Sequence, residues 1–213
     1  MSKAITGTFA WGVVRGVLAV MVGGAVFGCS PQSDRPAAAP SPSASVQPSA
    51  SPSSMRARLE LPLRLGDRSR LFHRPLLLAV GDNVEQLGRL VDDPRDKAGQ
   101  VYNGATDADY AVMVSAAAGT VGDGEATLDE LFKLFPRVRE VRAVDPGPLG
   151  GVARCGNGRN DQYYATMCAW ADRISVGTVT FLSLKKRLGL PDDEFVEIRS
   201  ELEFPIPALS SGQ

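Results

Sequence analysis

Histidine is nearly missing from this chain of 213 residues: His73 is the only one. A metal site built on several imidazoles is therefore excluded. Aromatic residues make up only 7% of the chain, too few for a platform on which nucleic-acid bases could stack. No charge sign dominates, with 23 Lys and Arg against 24 Asp and Glu and a net charge of −1. The overall balance carries no electrostatic footprint for nucleic acid or anionic lipid. No Gly-x-Ser-x-Gly elbow, phosphate-binding loop or dinucleotide fingerprint occurs. No fixed-period repeat is visible, which argues against solenoids and propellers. What remains is an ordinary globular composition, 44% hydrophobic and 22% charged, enough for one medium domain with tails.

The N-terminal segment carries Lys3 and Arg15 and then an uncharged, mostly apolar run over residues 16–28. Its length suits the core of a signal peptide, roughly 7–15 residues, and falls short of the roughly 20 that span a bilayer. Stretching the run back to Phe9 would bury Arg15 in hydrocarbon, at high cost. The run stops on Val26-Phe27-Gly28-Cys29. These four residues resemble the bacterial lipobox, in which an aliphatic residue and two mostly small ones precede a cysteine that is lipidated. Val26 and Gly28 fit that pattern, and Phe27 stands where a small residue is usual. The resemblance implies a signal peptide over residues 1–28, lipidation of Cys29 and a domain held at the outer face of the cell membrane. The rival is an uncleaved anchor helix, which places the same residues outside. No twin-arginine pair is present, so the general secretion route is expected.

Residues 29–56 open with that cysteine and continue almost entirely as Pro, Ser and Ala, with Asp34 and Arg35 the only charges between residues 31 and 54. So little apolar surface cannot offset the entropy of ordering the segment. Its prolines favour extended polyproline II, at about 3 Å per residue, and the segment reads as a disordered, semi-rigid tether.

From about Leu59 the pattern changes, and residues 57–207 read as one globular domain, followed by a tail over 208–213. Residues 58–65 alternate apolar and charged side chains, but Pro62 limits them to an edge strand or an extended lead-in. His73-Arg74-Pro75 reads as a break, after which Asp82 or Asn83 caps a helix that Asp93-Pro94 ends. Strands are expected over 100–103, 110–115, 138–144, 164–171 and 175–182. The 138–144 strand alternates valine or alanine with charge, as a half-buried strand does. Thr127 and Glu130 have the capping-box form ahead of a helix carrying Leu128, Leu131, Phe132 and Phe135. Gly147, Gly150 and Gly151 mark a bend, and a last helix starts at Pro191-Asp192. The order of elements points to an α+β fold, an antiparallel sheet with helices packed mainly on one face.

Cys155 and Cys168 enclose a polar, glycine-rich segment. In an oxidising compartment two such cysteines are expected to form a disulfide, worth about 3 kcal/mol for a loop of this length. Zinc is not expected from two thiols and one imidazole, nor redox chemistry without a C-x-x-C spacing. The residues around the pair, Pro146-Gly147-Pro148-Leu149-Gly150-Gly151, Arg154-Cys155, Cys168-Ala169-Trp170-Ala171-Asp172 and Val176-Gly177, resemble a group of uncharacterised actinobacterial secreted or membrane-anchored proteins. The likeness covers roughly residues 100–205 and implies no particular activity. Trp170, two residues beyond Cys168, shares its face on a strand and is expected to pack against the disulfide.

His73 lacks any nucleophile motif to serve, and residues 122–130 miss the first ligands of a calcium loop. The pairs Asp92-Asp93 and Asp192-Asp193 read as helix-end residues. No catalytic residue, metal ligand or cofactor is expected. Residues 156–164 form the candidate interaction surface, through Asn157, Arg159, Asn160, Tyr163 and Tyr164, types common in protein contacts. The expectation is a membrane-tethered, non-enzymatic domain that binds a protein or a small-molecule ligand. Its rivals are an extracytoplasmic hydrolase with an unrecognised site and an accessory or sensor subunit of a membrane complex.

Overall fold

A computed structural model describes residues 55–106, 108–159, 162–186 and 189–207. The signal segment, Cys29, the tether over residues 31–54, Asn160 and the tail over 208–213 lie outside the described residues.

The alanine- and valine-rich segments of the second half build one antiparallel sheet. It has six strands: β4 (Asp92–Asn103), β5 (Asp109–Thr120), β6 (Arg139–Val144), β7 (Val152–Arg159), β8 (Tyr164–Ala171) and β9 (Ser175–Ser183). Their order is β4-β5-β9-β8-β7-β6, so β5 and β9 meet only after the β6–β8 meander has been added beside them. The chain's outer segments, β1 (Met55–Leu59) and β10 (Glu203–Pro207), pair antiparallel with each other, and β2 (Arg64–Leu65) and β3 (Arg68–Ser69) make a small hairpin. Among the described residues there are three helices: α1 (Arg74–Leu87), α2 (Gly124–Leu134) and α3 (Asp192–Leu202).

Period-two alternation divides the core. Val112, Val114, Ala116 and Ala118 of β5 cluster with Cys155, Cys168, Trp170, Phe181, with Phe195, Ile198 and Leu202 of α3, and with Ala57 and Leu59 of β1. The alternate residue Ala117 clusters with Met167 and Ala169 and with Leu128 and Leu131 of α2. Ala111 and Met113 cluster with Val80 of α1. Central strands that must bury side chains on both sides cannot alternate with polar residues, which is why β5, β8 and β9 read as nearly unbroken apolar runs.

Several local expectations are corrected. His73-Arg74-Pro75 starts a helix instead of breaking the chain: His73 is the N-cap of α1, with proline in the first turn, where a missing N–H costs nothing. Asp82 and Asn83 therefore sit inside α1 and cap nothing. Asp92 and Asp93 belong to edge strand β4, whose pairing slips between Asp92 and Asp96 and so tolerates Pro94. Helix α2 begins ahead of Thr127: Asp123 is its N-cap and accepts from the Ala126 N–H at 3.1 Å, while the Thr127 hydroxyl donates back to the Asp123 carbonyl. Strand β6 is exposed along most of its length, not half-buried, because a bulge between Arg139 and Arg142, with Glu140 at φ 55°, breaks its alternation.

Candidate functional site

The segment between the cysteines is not a loop closed by a bond. It is a β-hairpin in which Val152 to Arg159 pair residue for residue with Ala171 to Tyr164. Cys155 faces Cys168 in that register, and the two form a disulfide with both side chains fully buried. Trp170 lies on the same side and is also fully buried. Its six-membered ring occupies the space above Gly177, where a Cβ would come within 2.2 Å of the indole. No larger residue fits opposite that tryptophan.

The same alternation sorts the candidate interaction residues. Asn157, Arg159 and Tyr164 fall on the disulfide side, at the far end of the hairpin from Trp170. Asn157 accepts from the Thr166 hydroxyl at 3.0 Å, and the Arg159 guanidinium lies 4.9 Å over the Tyr164 ring. Tyr163 points elsewhere: it stacks on Tyr110 at 4.5 Å between ring centroids and packs with the α1 cluster. Its hydroxyl is held above its ordinary pKa, chiefly by a hydrogen bond with Tyr110. Tyr163 is thus a packing residue, and three of the described four share one surface.

That surface is a furrow of about 530 Å³, lined by Asn157, Arg159 and Tyr164 together with Arg137, Arg139 and Lys186. The Arg139 guanidinium is pinned against the Pro136 and Val138 carbonyls. Arg137, Arg159 and Lys186 form no salt bridge among the described residues. Glu140 is the single described carboxylate in the lining. Arg137 before β6, Arg139 at its start and Lys186 after β9 were missed by sequence reasoning, since only the sheet order brings them to the hairpin end.

At the opposite end of β8 the bend and the cysteine-tryptophan strand meet over a buried cation. Arg199 of α3, 1% exposed, donates to Glu203 Oε2 at 3.0 Å, to Asp172 Oδ2, and to the carbonyls of Pro146 and Gly150 at 3.0 and 2.8 Å. The Gly150 and Gly151 backbones adopt positive φ, at 73° and 86°, to present that turn. Ser175 accepts from Trp170 Nε1 at 3.0 Å and lies 2.8 Å from Glu203 Oε1 and 3.1 Å from Asp172 Oδ2. Burial, and next the Asp172 carboxylate, push the Glu203 carboxyl up to about 7, against the pull of Arg199. The sequence offered no sign of Arg199 or Glu203 as core residues, since each reads as an ordinary charge on a helical segment. Every one of these polar groups is engaged with another, so the cluster clamps α3 and the glycine bend to the β8–β9 turn.

His73 packs its ring edge-on to Tyr110, 6.0 Å between ring centroids. Among the described residues no group of three His, Cys, Asp or Glu side chains could hold a metal ion, and no helix is long and apolar enough to cross a membrane. The fold and its two polar features define an antiparallel α+β domain with a disulfide-braced hairpin. No protein-family model, curated protein or solved structure matches the chain.

Proposed function

We propose that this chain is an exported, membrane-tethered, non-enzymatic binding domain, anchored through Cys29 by the Pro/Ser/Ala segment and contacting its ligand through the hairpin furrow. In this reading α1 and α2 cover one face of the sheet, α3 and the β1–β10 pair cover part of the other, and the hairpin end of that second face stays open. The observation that carries the reading is the convergence of Arg137, Arg159 and Lys186 with Tyr164 and Asn157 in one open furrow. Cations with no carboxylate partner among the described residues, set beside an aromatic ring and an amide, are groups that recognise a ligand more readily than they stabilise a fold. The buried Cys155–Cys168 disulfide supports an oxidising compartment, in keeping with export. Against the hydrolase alternative stands the engagement of Ser175, whose neighbours are Trp170, Asp172 and Glu203 inside the core.

Two measurements test the halves of this proposal. Cys29→Ala abolishes incorporation of labelled fatty acid and blocks processing; unchanged labelling removes the lipid anchor. Cross-linking on intact cells captures a partner or ligand with the native chain, and Arg159→Glu with Tyr164→Ala loses it while keeping the native thermal midpoint. Equal capture by both places the contact elsewhere on the domain.

A further inference from the structure

The furrow's chemistry narrows its ligand beyond "a partner". Its cations come from different strands: Arg137 precedes β6, Arg159 ends β7, and Lys186 follows β9. With the order β9-β8-β7-β6, they are spread over three inter-strand spacings, roughly 14 Å. One small anion cannot reach that far. A chain carrying a charge at every repeat can meet them in turn. The Arg159 guanidinium carbon sits 4.9 Å from the centre of the Tyr164 ring, a cation–π contact that helps hold the side chain in place, and a guanidinium can donate in a fork to two oxygens. Of the described lining side chains only Ala165 and Tyr164 are apolar or aromatic, so the furrow has no pocket for the apolar anchors that dominate protein contacts. Tyr164 is the single aromatic ring among the described lining residues and Arg159 already lies over it, which leaves no row of rings on which successive bases could stack. A concave furrow also fits a chain better than it fits the plane of a bilayer.

We infer that the hairpin furrow binds an extended phosphate-bearing polymer that lacks bases, a polyphosphate or phosphodiester chain laid across the ends of β6 to β9. The inference rests on the furrow being the binding site, and it assigns that site a ligand class. The near-zero net charge of the chain conceals it, because the excess of cations is local.

The test uses the full chain in mild detergent and fluorescence anisotropy with end-labelled inorganic polyphosphate. Binding is expected to weaken steeply as salt rises, by counterion release. Arg137→Glu, Arg159→Glu and Lys186→Glu together weaken it about tenfold or more. A matched triple reversal at the other end of the sheet, Arg56→Glu, Arg95→Glu and Arg173→Glu, leaves it within about twofold. Circular dichroism and thermal midpoints confirm that both variants are folded. Equal losses in the two variants would show a response to net charge alone and overturn the site. Tighter binding to a poly-glutamate peptide, to single-stranded oligonucleotide or to anionic lipid vesicles than to polyphosphate would overturn the ligand class. If polyphosphate is not bound while the hairpin variant still loses its captured partner on cells, the ligand class fails and the binding site stands.

Discussion

Glu203 shows how one residue's surroundings set a property of the whole fold. Its carboxyl is 2% exposed, beside Asp172 and Arg199, and burial raises its pKa from the ordinary 4.5 to about 7. The folded chain thus holds this proton more tightly than the unfolded chain does. Stability from this group is fully present below pH 4.5 and is lost as pH rises through about 7, up to about 3 kcal/mol in all. Urea unfolding at pH 5 and pH 8 reads this directly. The native chain is expected to lose more stability between those values than Glu203→Gln, which keeps an acceptor for Arg199 and carries no titrating proton. Identical pH dependence in the two chains would mean that Glu203 ionises in the folded state as it does in water. Arg199 is the counterpart: a buried guanidinium is costly alone and tolerable only because two carboxylates and two carbonyls receive it.

At the scale of the element, the β7–β8 hairpin is braced twice, by its eight paired positions and by the disulfide between directly opposed residues. The bond removes unfolded conformations, while the packing of Trp170 and Phe195 beside it, 6.2 Å between ring centroids, belongs to the folded state alone. Replacing both Cys155 and Cys168 with serine is expected to lower the unfolding free energy by about 2–4 kcal/mol. The purified chain is expected to show no titratable thiol at either position without reductant. Two reactive thiols there would replace the structural role with a chemical one. The sheet pairing accounts for a further difference from sequence reasoning. A polar, glycine-rich stretch such as Gly156 to Arg159 looks like a loop until its partner strand supplies the backbone hydrogen bonds.

For the molecule as a whole, the outer ends of the described chain are tied together. Met55 to Leu59 pair with Pro207 to Glu203, and Ala57 and Leu59 are buried in the core shared with α3. Two residues assigned from sequence to the tether, Met55 and Arg56, are therefore part of a strand. A chain starting at Met55 is expected to melt within about 2 °C of one starting at Ser30, because the Pro/Ser/Ala segment has too little apolar surface to contribute. A chain starting at Glu60 loses β1 and leaves β10 unpaired, and its midpoint is expected to fall by about 10 °C or more. Differential scanning calorimetry separates the cases; a large drop already at Met55 would show that the preceding segment packs on the domain.

Much of the fold was legible because its signals are local. Strands β8 and β9 and helix α3 were located within a residue or so, since apolar runs bounded by turns, and a helical apolar spacing after Pro191-Asp192, are properties of neighbouring residues. The cysteine pair and its neighbouring tryptophan were legible for the same reason. Helix starts were misread, at Asp82 or Asn83 where the cap is His73 and at Thr127 where it is Asp123, because a cap is decided by where the chain can turn. What only the tertiary structure decided is which distant residues meet. The strand order β9-β8-β7-β6 gathers Arg137, Arg159 and Lys186 at one furrow, sends Tyr163 to the opposite cluster, and seats Arg199 under the glycine bend. Local periodicity carries no information on such meetings, because the pairing of strands far apart in sequence is set by burial summed over the whole core.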